Sequence, residues 1–226
     1  MPLLEISNLR KIYHSPEGEM LTVLDVQEFA LEAKQQLALR GSSGSGKTTL
    51  LNCIAGILSP DGGRIELAGH NMAALGEGAR DRVRAETIGY IFQTFNLLQG
   101  YTCLENVLLG MRFGKGADRA FALDLLEQVG LGSRLNYRPG QLSVGQQQRV
   151  AVARALANQP KLVLADEPTG NLDPRNAREA INLVREICGE NEAALLLVSH
   201  DQAVLDQFDD CADLADINHA MQEAEA

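Results

Sequence analysis

The chain has 226 residues, 45% of them hydrophobic, and a formal net charge of −10. This size and composition predict one globular domain, with or without an insertion. The acidic charge and the lack of any Lys/Arg run argue against nucleic acid as a partner and against direct adsorption to anionic lipid.

Two further features bear on where the protein works. The first 11 residues lack the apolar segment of a signal peptide, and the richest apolar run, residues 193–198, is too short to cross a bilayer. We therefore expect a soluble cytosolic protein that is able to sit on a membrane partner. The four cysteines lie far apart without a CxxC pair and are expected to be reduced packing residues: Cys53, Cys103, Cys188 and Cys211.

The first part of the chain alternates between strand and helix patterns. Strands are predicted at residues 3–13, 21–31, 36–40, 64–67 and 87–92, with helices beginning at residue 49 and spanning 77–86. The first two strands should pair with each other.

From about residue 97 to 158 the pattern becomes helical, and this stretch is predicted to be a helical insertion. Its helices are expected at residues 104–111, 117–129 and 144–157, followed by a strand at 161–165, a helix at 175–188 and a strand at 194–198. Strands that alternate with helices indicate a largely parallel sheet. The end of the chain from Gln207 is acidic and weakly patterned.

A glycine-rich segment between the third strand and the first helix fits the phosphate-binding pattern G-x-x-x-x-G-K-[ST]. It consists of Gly41, Ser42, Ser43, Gly44, Ser45, Gly46, Lys47 and Thr48. Glycines let several backbone N–H groups point inward, and the helix that follows adds its free amides and positive dipole end. Lys47 supplies a cation for phosphate, and the Thr48 hydroxyl is suited to Mg²⁺. A flexible linker would need neither these two residues nor the flanking strand and helix.

Two carboxylates, Asp166 and Glu167, follow an apolar strand. Ligands of parallel sheets bind beyond the carboxyl ends of strands, so Asp166 is expected to face the Mg²⁺ of the phosphate loop. Glu167 points elsewhere and is a candidate for polarising a water beside the γ-phosphate.

Five ordered motifs together resemble the ABC ATPase family. The signature region is residues 136–151, the Walker B and D-loop region is 165–173, the switch histidine is His200, the Q-loop is 91–93, and Tyr13 stands where an adenine-stacking aromatic falls. Residues 92–98 and 164–173 are similar to the branch of lipoprotein-releasing and macrolide-exporting ATPases.

The resemblance implies a fold, a set of roles and partners. The fold is α/β: a P-loop NTPase (RecA-like) core at 1–96 and 159–226 with a mainly parallel sheet, an N-terminal antiparallel portion and an inserted α-helical subdomain at about 97–158. The cofactors are ATP and Mg²⁺. The partners are a second copy, packed head to tail around two ATP molecules, and a separate integral membrane permease on the cytoplasmic face of the membrane. The implied activity is ATP hydrolysis that drives transport or extraction of a lipoprotein, lipid or hydrophobic compound.

The implied residue roles follow the motifs. Residues Gly41 to Thr49 would hold phosphate and Tyr13 adenine, while Thr48, Gln93 and Asp166 would hold Mg²⁺, and Gln93 would also link that ion to the permease. Glu167 would act as general base, His200 would hold γ-phosphate and water in line, and Asp173 would couple the two sites. Leu142, Ser143, Gly145 and Gln146 would close over the ATP of the other copy.

Structural alternatives stand beside several of these roles. Tyr13 is also consistent with an ordinary strand aromatic, Gln93 with a solvated strand end, and His200 with a capping or core histidine. Ser143 is suited to cap the helix that follows and to present that helix to phosphate at the same time.

The chain departs from the family pattern at three places. Val144 stands where the signature has glycine, which adds bulk near phosphate. Ser42 stands where many relatives have proline, and the C-terminal end lacks a glycine-turned hairpin. We expect altered closure from the first and no catalytic consequence from the others.

Two other function classes stay open at this stage. One is a soluble ABC ATPase of a non-transport machine, although the chain has neither a long coiled coil nor a second cassette. The other is a P-loop GTPase or kinase, which the absence of a guanine-reading Asn-Lys-x-Asp disfavours.

Overall fold

The computed structural model describes residues 1–15 and 18–220, which form two β-sheets and associated helices. The strands are β1 (Leu4–His14), β2 (Met20–Leu31), β3 (Gln36–Arg40), β4 (Gly62–Leu67), β5 (His70–Asn71), β6 (Ile88–Ile91), β7 (Leu162–Asp166), β8 (Ala194–Ser199) and β9 (Asp210–Asp213). The helices are α1 (Lys47–Ile54), α2 (Glu77–Thr87), α3 (Cys103–Arg112), α4 (Arg119–Gln128), α5 (Val144–Leu156), α6 (Pro174–Glu190), α7 (Gln202–Leu205) and α8 (Leu214–Ile217).

The first sheet is antiparallel, in the order β2-β1-β4-β5. The predicted pairing of the first two strands is confirmed, with Leu4 opposite Leu31 and a register shift between Lys11 and Ile12. Alternate side chains of β1, such as Leu4 and Ile6, are buried in the core that this sheet shares with α1. The pattern of buried and exposed residues follows the period of two of a strand.

The second sheet is parallel, in the order β6-β7-β8-β3-β9. Its central strands β7 and β8 are buried along their whole length, as expected where both faces of a parallel sheet are covered. Because these strands are parallel, the segments that follow β3, β7 and β8 leave the sheet at the same edge. The sheet thereby brings the phosphate loop together with Glu167 and His200.

Helices α3, α4 and α5 pack against one another and share one apolar cluster with a face of the parallel sheet. Both α3 and α5 begin with capping boxes, in which Thr102 pairs with Glu105 and Ser143 with Gln146. The helical pattern predicted for this part of the chain is therefore present.

The chain end differs from the sequence expectation. Strand β9 lies within the weakly patterned acidic segment and pairs in parallel with β3, on the outer edge of the sheet. Cys211 lies in this strand and is exposed, so the expectation that all four cysteines are packing residues is wrong for it. An edge strand leaves one side of the chain open to solvent, whereas Cys53, Cys103 and Cys188 are buried.

Candidate active site

The phosphate loop joins β3 to α1 in a conformation that depends on glycine. Gly44 has φ +82° and Gly46 has φ +92°, both in the left-handed region. A Cβ at Gly46 would lie 3.0 Å from the Val23 carbonyl oxygen, so a side chain there would be crowded as well as strained by φ. Lys47 is the first residue of α1, two residues earlier than the sequence pattern indicated.

The Lys47 side chain is buried and bound within its own loop. Its Nζ donates to the carbonyl oxygens of Gly41 at 2.7 Å and Ser42 at 2.8 Å. The same Nζ lies 3.1 Å from Glu167 Oε1, and both side chains are largely shielded from solvent. The lysine is therefore placed between the phosphate loop and the carboxylate that follows β7.

Glu167 and His200 form the second half of this cluster. His200 Nδ1 lies 2.7 Å from Glu167 Oε1, and because a carboxylate only accepts hydrogen bonds, Nδ1 carries the proton. Most of the His200 ring is exposed to solvent, so it is not a core histidine. Glu167 has φ +45°, an uncommon conformation for a non-glycine residue. This backbone conformation directs the Glu167 side chain toward Lys47 and His200.

Asp166 ends β7 beside Thr48 and is a suitable cation ligand. Its side chain is buried, and within the described part of the chain its Oδ1 has no hydrogen-bond partner. Burial raises the pKa of this carboxyl, and a hydrogen bond from the Thr48 hydroxyl opposes the rise. A buried carboxylate oxygen with an open coordination position next to a hydroxyl fits Mg²⁺, which prefers oxygen ligands.

Lys47, Glu167 and His200 line a pocket of about 310 Å³, and Asp166 lies outside that lining. The lining consists of Val23, Ser43, Gly44, Gly46, Lys47, Thr48, Thr49, Gln93, Glu167 and His200. Gln93 thus faces the pocket, and its carbonyl oxygen accepts a hydrogen bond from Asn171 Nδ2 at 2.8 Å. Ser45 is buried behind the loop.

The signature residues lie away from the phosphate loop and are absent from the pocket lining. The Ser143 hydroxyl accepts from the Gln146 backbone N–H at 3.3 Å and caps α5, as predicted. Val144 is the first residue of that helix and is 45% exposed. Leu142 is buried in the helical cluster, and Gly145 is partly exposed. A single copy therefore does not bring Ser143 to its own phosphate loop.

Tyr13 and Asp173 also lie outside the pocket lining. Tyr13 is 42% exposed near the end of β1, with Lys11 Nζ 5.7 Å from its ring centroid. Asp173 caps α6 and accepts from the backbone N–H groups of Arg175 and Asn176. Its hydrogen bond with the Asn176 side chain contributes most to the lowered pKa of this carboxyl.

Sequence reasoning missed Arg154, which connects the signature helix to the segment after Gln93. It donates at 2.6 Å to the carbonyl oxygens of both Phe95 and Asn96, which have left-handed φ values of +57° and +49°. Burial lowers the pKa of the Arg154 guanidinium. A lone arginine in a helix carries no local pattern, so only the fold reveals its target.

A groove of about 760 Å³ lies beside this connection, between α2, β6 and the helical region. Phe92, Ile57 and Phe113 contribute apolar surface to it, and Phe113 is 73% exposed. Tyr90 stacks on Phe92 with ring centroids 4.1 Å apart. The groove therefore begins one residue before Gln93. No helix among residues 1–15 and 18–220 is long and apolar enough to cross a membrane.

The parallel sheet, the phosphate loop at its edge and the carboxylates after β7 define a P-loop nucleoside triphosphatase. Comparison with protein families narrows this class, since a family model described as ABC transporter matches residues 24–170. The chain belongs to the ABC transporter family, and as a member of it the chain is an ABC ATPase.

Relatives of known name agree with this assignment. The chain is 44% identical to the lipoprotein-releasing system ATP-binding protein LolD of Pseudomonas syringae pv. tomato, over 92% of each chain. It is 46% identical to the protein of the same name from Anaeromyxobacter dehalogenans, over 95% of this chain and 91% of that one. It also superposes on a dimeric ATP-binding cassette in a post-hydrolysis state with ADP and Pi, with TM-score 0.84, 34% identity and 93% coverage of both chains.

Proposed function

We propose that the chain is the ATP-hydrolysing subunit of a transporter similar to the lipoprotein-releasing systems, working on the cytoplasmic face of a membrane through a separate permease. The observation that carries this proposal is the convergence of Lys47, Glu167 and His200 on one pocket while the signature residues lie outside it. One copy of the chain is expected to bind nucleotide at such a site, and the signature residues of a second copy are needed to complete the site.

The triphosphate would enter where Lys47 now contacts carbonyl oxygens. Backbone N–H groups of the glycine-rich loop would face the phosphates, and Lys47 would exchange its internal partners for phosphate oxygens. Thr48, Asp166 and Gln93 would hold Mg²⁺, which would neutralise charge on the β- and γ-phosphates. The buried Oδ1 of Asp166, which has no hydrogen-bond partner among residues 1–15 and 18–220, supports this assignment.

Hydrolysis would depend on Glu167 and His200. Once phosphate takes over Lys47, the Glu167 carboxylate is free to accept a proton from the attacking water. His200 donates to Glu167 through Nδ1, so its Nε2 faces away. In the neutral ring Nε2 would accept from the attacking water, and in the protonated ring it would donate to the γ-phosphate. The left-handed backbone at Glu167 supports a functional role, because such strain is typical of active sites.

A second copy would complete the site through the start of α5. Ser143, Gly145 and Gln146 lie at the N-terminus of that helix, where free amides and the helix dipole favour an anion. Asp173, at the start of α6, would lie between the two sites, and Tyr13 would contact adenine. The dimeric arrangement of the similar cassette structures supports this assembly.

The groove beside Phe92 is the proposed docking site for a cytoplasmic segment of the permease. Its apolar surface is continuous with the Gln93 segment, so a bound segment would sense the nucleotide pocket directly. Exposed Phe113 and Ile57 are suited to anchor apolar side chains of such a segment.

The first experiment tests assembly and activity together. Glu167→Gln with ATP should form dimers in light scattering, while the wild type with ADP should be monomeric. Glu167→Gln combined with Ser143→Arg is the control, because it keeps the nucleotide pocket and blocks the opposite surface. Equal masses with ATP and ADP for the Glu167→Gln variant would contradict the completion of one site by a second copy.

The second experiment tests the partner and substrate. Affinity-tagged protein should co-purify from detergent-solubilised membranes with an integral membrane protein, and the complex should release lipoproteins from vesicles with ATP. Phe113→Asp should abolish co-purification without changing ATPase activity of the isolated subunit. Met20→Asp, at a similarly exposed position on β2, should leave co-purification unchanged. Recovery of soluble partners alone would favour the alternative, a non-transport ABC ATPase.

A further inference from the structure

The side chain of Asn218, just after α8, is completely buried behind the phosphate loop. Its Nδ2 donates to the carbonyl oxygens of Val23 at 2.9 Å and Ser45 at 3.3 Å. Its Oδ1 accepts from the backbone N–H of Asp25 at 2.8 Å. One side chain near the end of the chain thus bridges strand β2 and the phosphate loop.

The chemistry of the site requires an amide. Two carbonyl oxygens need donors on one side, and one N–H group needs an acceptor on the other, which also fixes which end of Asn218 is nitrogen. Alanine would leave three buried backbone groups unpaired, and aspartate would place an acceptor against two acceptors.

The main chain around Asn218 is itself held in place. The Asn218 N–H donates to the Leu214 carbonyl oxygen at 2.7 Å, and the His219 N–H donates to the Asp25 carbonyl oxygen at 2.8 Å. A β-bridge joins Asn218 to Val26. The amide therefore projects toward the loop from a main chain that is anchored to β2.

The bond to Ser45 controls a group that faces phosphate. In a planar trans peptide, the carbonyl oxygen and the next N–H point in opposite directions. Holding the Ser45 carbonyl toward Asn218 directs the Gly46 N–H away from Asn218. Gly46 lines the nucleotide pocket, whereas Asn218 does not, so this N–H is directed to the pocket side.

The bond to Val23 acts on the same pocket from a second direction. Val23 lines the pocket, and its carbonyl oxygen lies where a Cβ at Gly46 would meet it. The Asn218 amide therefore sets the spacing between the pocket wall on β2 and Gly46 of the loop.

We propose that Asn218 is a positioning residue for the nucleotide site: it orients the Ser45–Gly46 peptide and fixes Val23 against the loop. The inference rests on the proposed function only in requiring that ATP binds at the phosphate loop. It assigns the C-terminal end of the chain a role in nucleotide affinity.

The test measures nucleotide affinity and stability separately. Asn218→Ala should weaken binding of a fluorescent ATP analogue about five- to tenfold, the effect of one misplaced hydrogen bond. The KM for ATP should rise by a similar factor, while kcat at saturating ATP stays within about twofold, because no group that touches the attacking water is altered. Asn218→Ser keeps one hydrogen-bond donor and leaves a smaller void than alanine. Its ATP affinity should lie between those of the alanine variant and the wild type, and it can be measured if the alanine variant does not fold.

Asn106 offers a matched control. It is also completely buried, and its amide bonds the main chain of Leu98, Tyr101 and Thr102 in the helical region, remote from the phosphate loop. Asn106→Ala should lower the melting temperature comparably and leave ATP affinity unchanged. The inference is overturned if the Asn218 variants bind ATP like wild type, or lose no more affinity than Asn106→Ala. Failure of the wild type to bind ATP would refute the nucleotide site itself, and this inference with it.

Discussion

Replacing Glu167 with glutamine separates the two roles that the structure gives to this side chain. The substitution keeps the shape and removes both the negative charge and the base. In the structure that charge pairs with Lys47 at 3.1 Å and accepts from His200 at 2.7 Å. Two quantities should therefore change in opposite directions, the hydrolysis rate and the affinity for ATP.

The magnitudes follow from these contacts. Loss of a general base should lower kcat by about 10²–10⁴-fold. The Lys47–Glu167 pair must separate before Lys47 contacts phosphate. Because desolvation offsets most of the attraction within a pair shielded from solvent, its net contribution is taken as on the order of 1 kcal/mol. Removing it should tighten ATP binding about fivefold, since 1.4 kcal/mol corresponds to about a factor of ten.

The assay combines single-turnover hydrolysis with equilibrium binding of ATP to the isolated subunit. Binding should be measured at low protein concentration, so that dimer formation does not add to the apparent affinity. His200→Ala is the comparison, because it removes the other partner of Glu167 and leaves the Lys47 contact in place.

Either of two results would refute the reasoning. Turnover within a few-fold of wild type would exclude Glu167 as the base. ATP affinity of the glutamine variant that is weaker than wild type would show that the Lys47–Glu167 contact does not compete with phosphate.

Three further substitutions test other parts of the molecule. Lys47→Ala should weaken ATP binding by about tenfold or more in a fluorescence titration, because charge-assisted phosphate contacts contribute about 1.5–3 kcal/mol; unchanged affinity would contradict the loop's role. Val144→Gly should raise ATPase activity of the isolated subunit about five- to tenfold by relieving a misfit of about 1 kcal/mol at closure, and a variant that is less stable and no more active would identify valine as an accommodated residue. Gly63→Ala should lower the free energy of unfolding by about 2 kcal/mol or more in a urea titration, because Gly63 has φ +88° and a Cβ there would collide with the Asn8 carbonyl. Gly69→Ala is the control: Gly69 has φ +85° but lies in open space, so this substitution should lower the free energy of unfolding by less.

Much of the fold was predictable because its signals are local. The phosphate loop is one contiguous segment whose glycines, lysine and threonine each have a physical reason, and apolar runs mark the central strands β7 and β8. The capping role of Ser143 could also be read from its spacing to Gln146. The roles assigned to Tyr13, Gln93 and Asp173 stay predictions.

The remainder depends on contacts between distant parts of the chain. Strand β9 has the sequence Asp-Cys-Ala-Asp, which has little strand propensity, and it is formed by pairing with the free edge of β3. Asn218 is 173 positions from Ser45, so no local sequence pattern predicts their hydrogen bond. The sequence pattern of the C-terminal end predicted no catalytic consequence, and it gave no sign of the role in ATP affinity that is proposed for Asn218.

Through the two hydrogen bonds of Arg154, helix α5 rigidly connects the signature residues to the turn that follows Gln93. Ser143 caps one end of the helix, and Arg154 holds the Phe95–Asn96 turn near the other, about 16 Å away at 1.5 Å per residue. A helix is stiff along its axis, so a shift of the signature end must reappear at the turn that follows Gln93. If a second copy displaces the Ser143 end of α5, the same helix would carry the displacement to the turn after Gln93. The nucleotide pocket and the neighbouring groove of the same chain would then both respond.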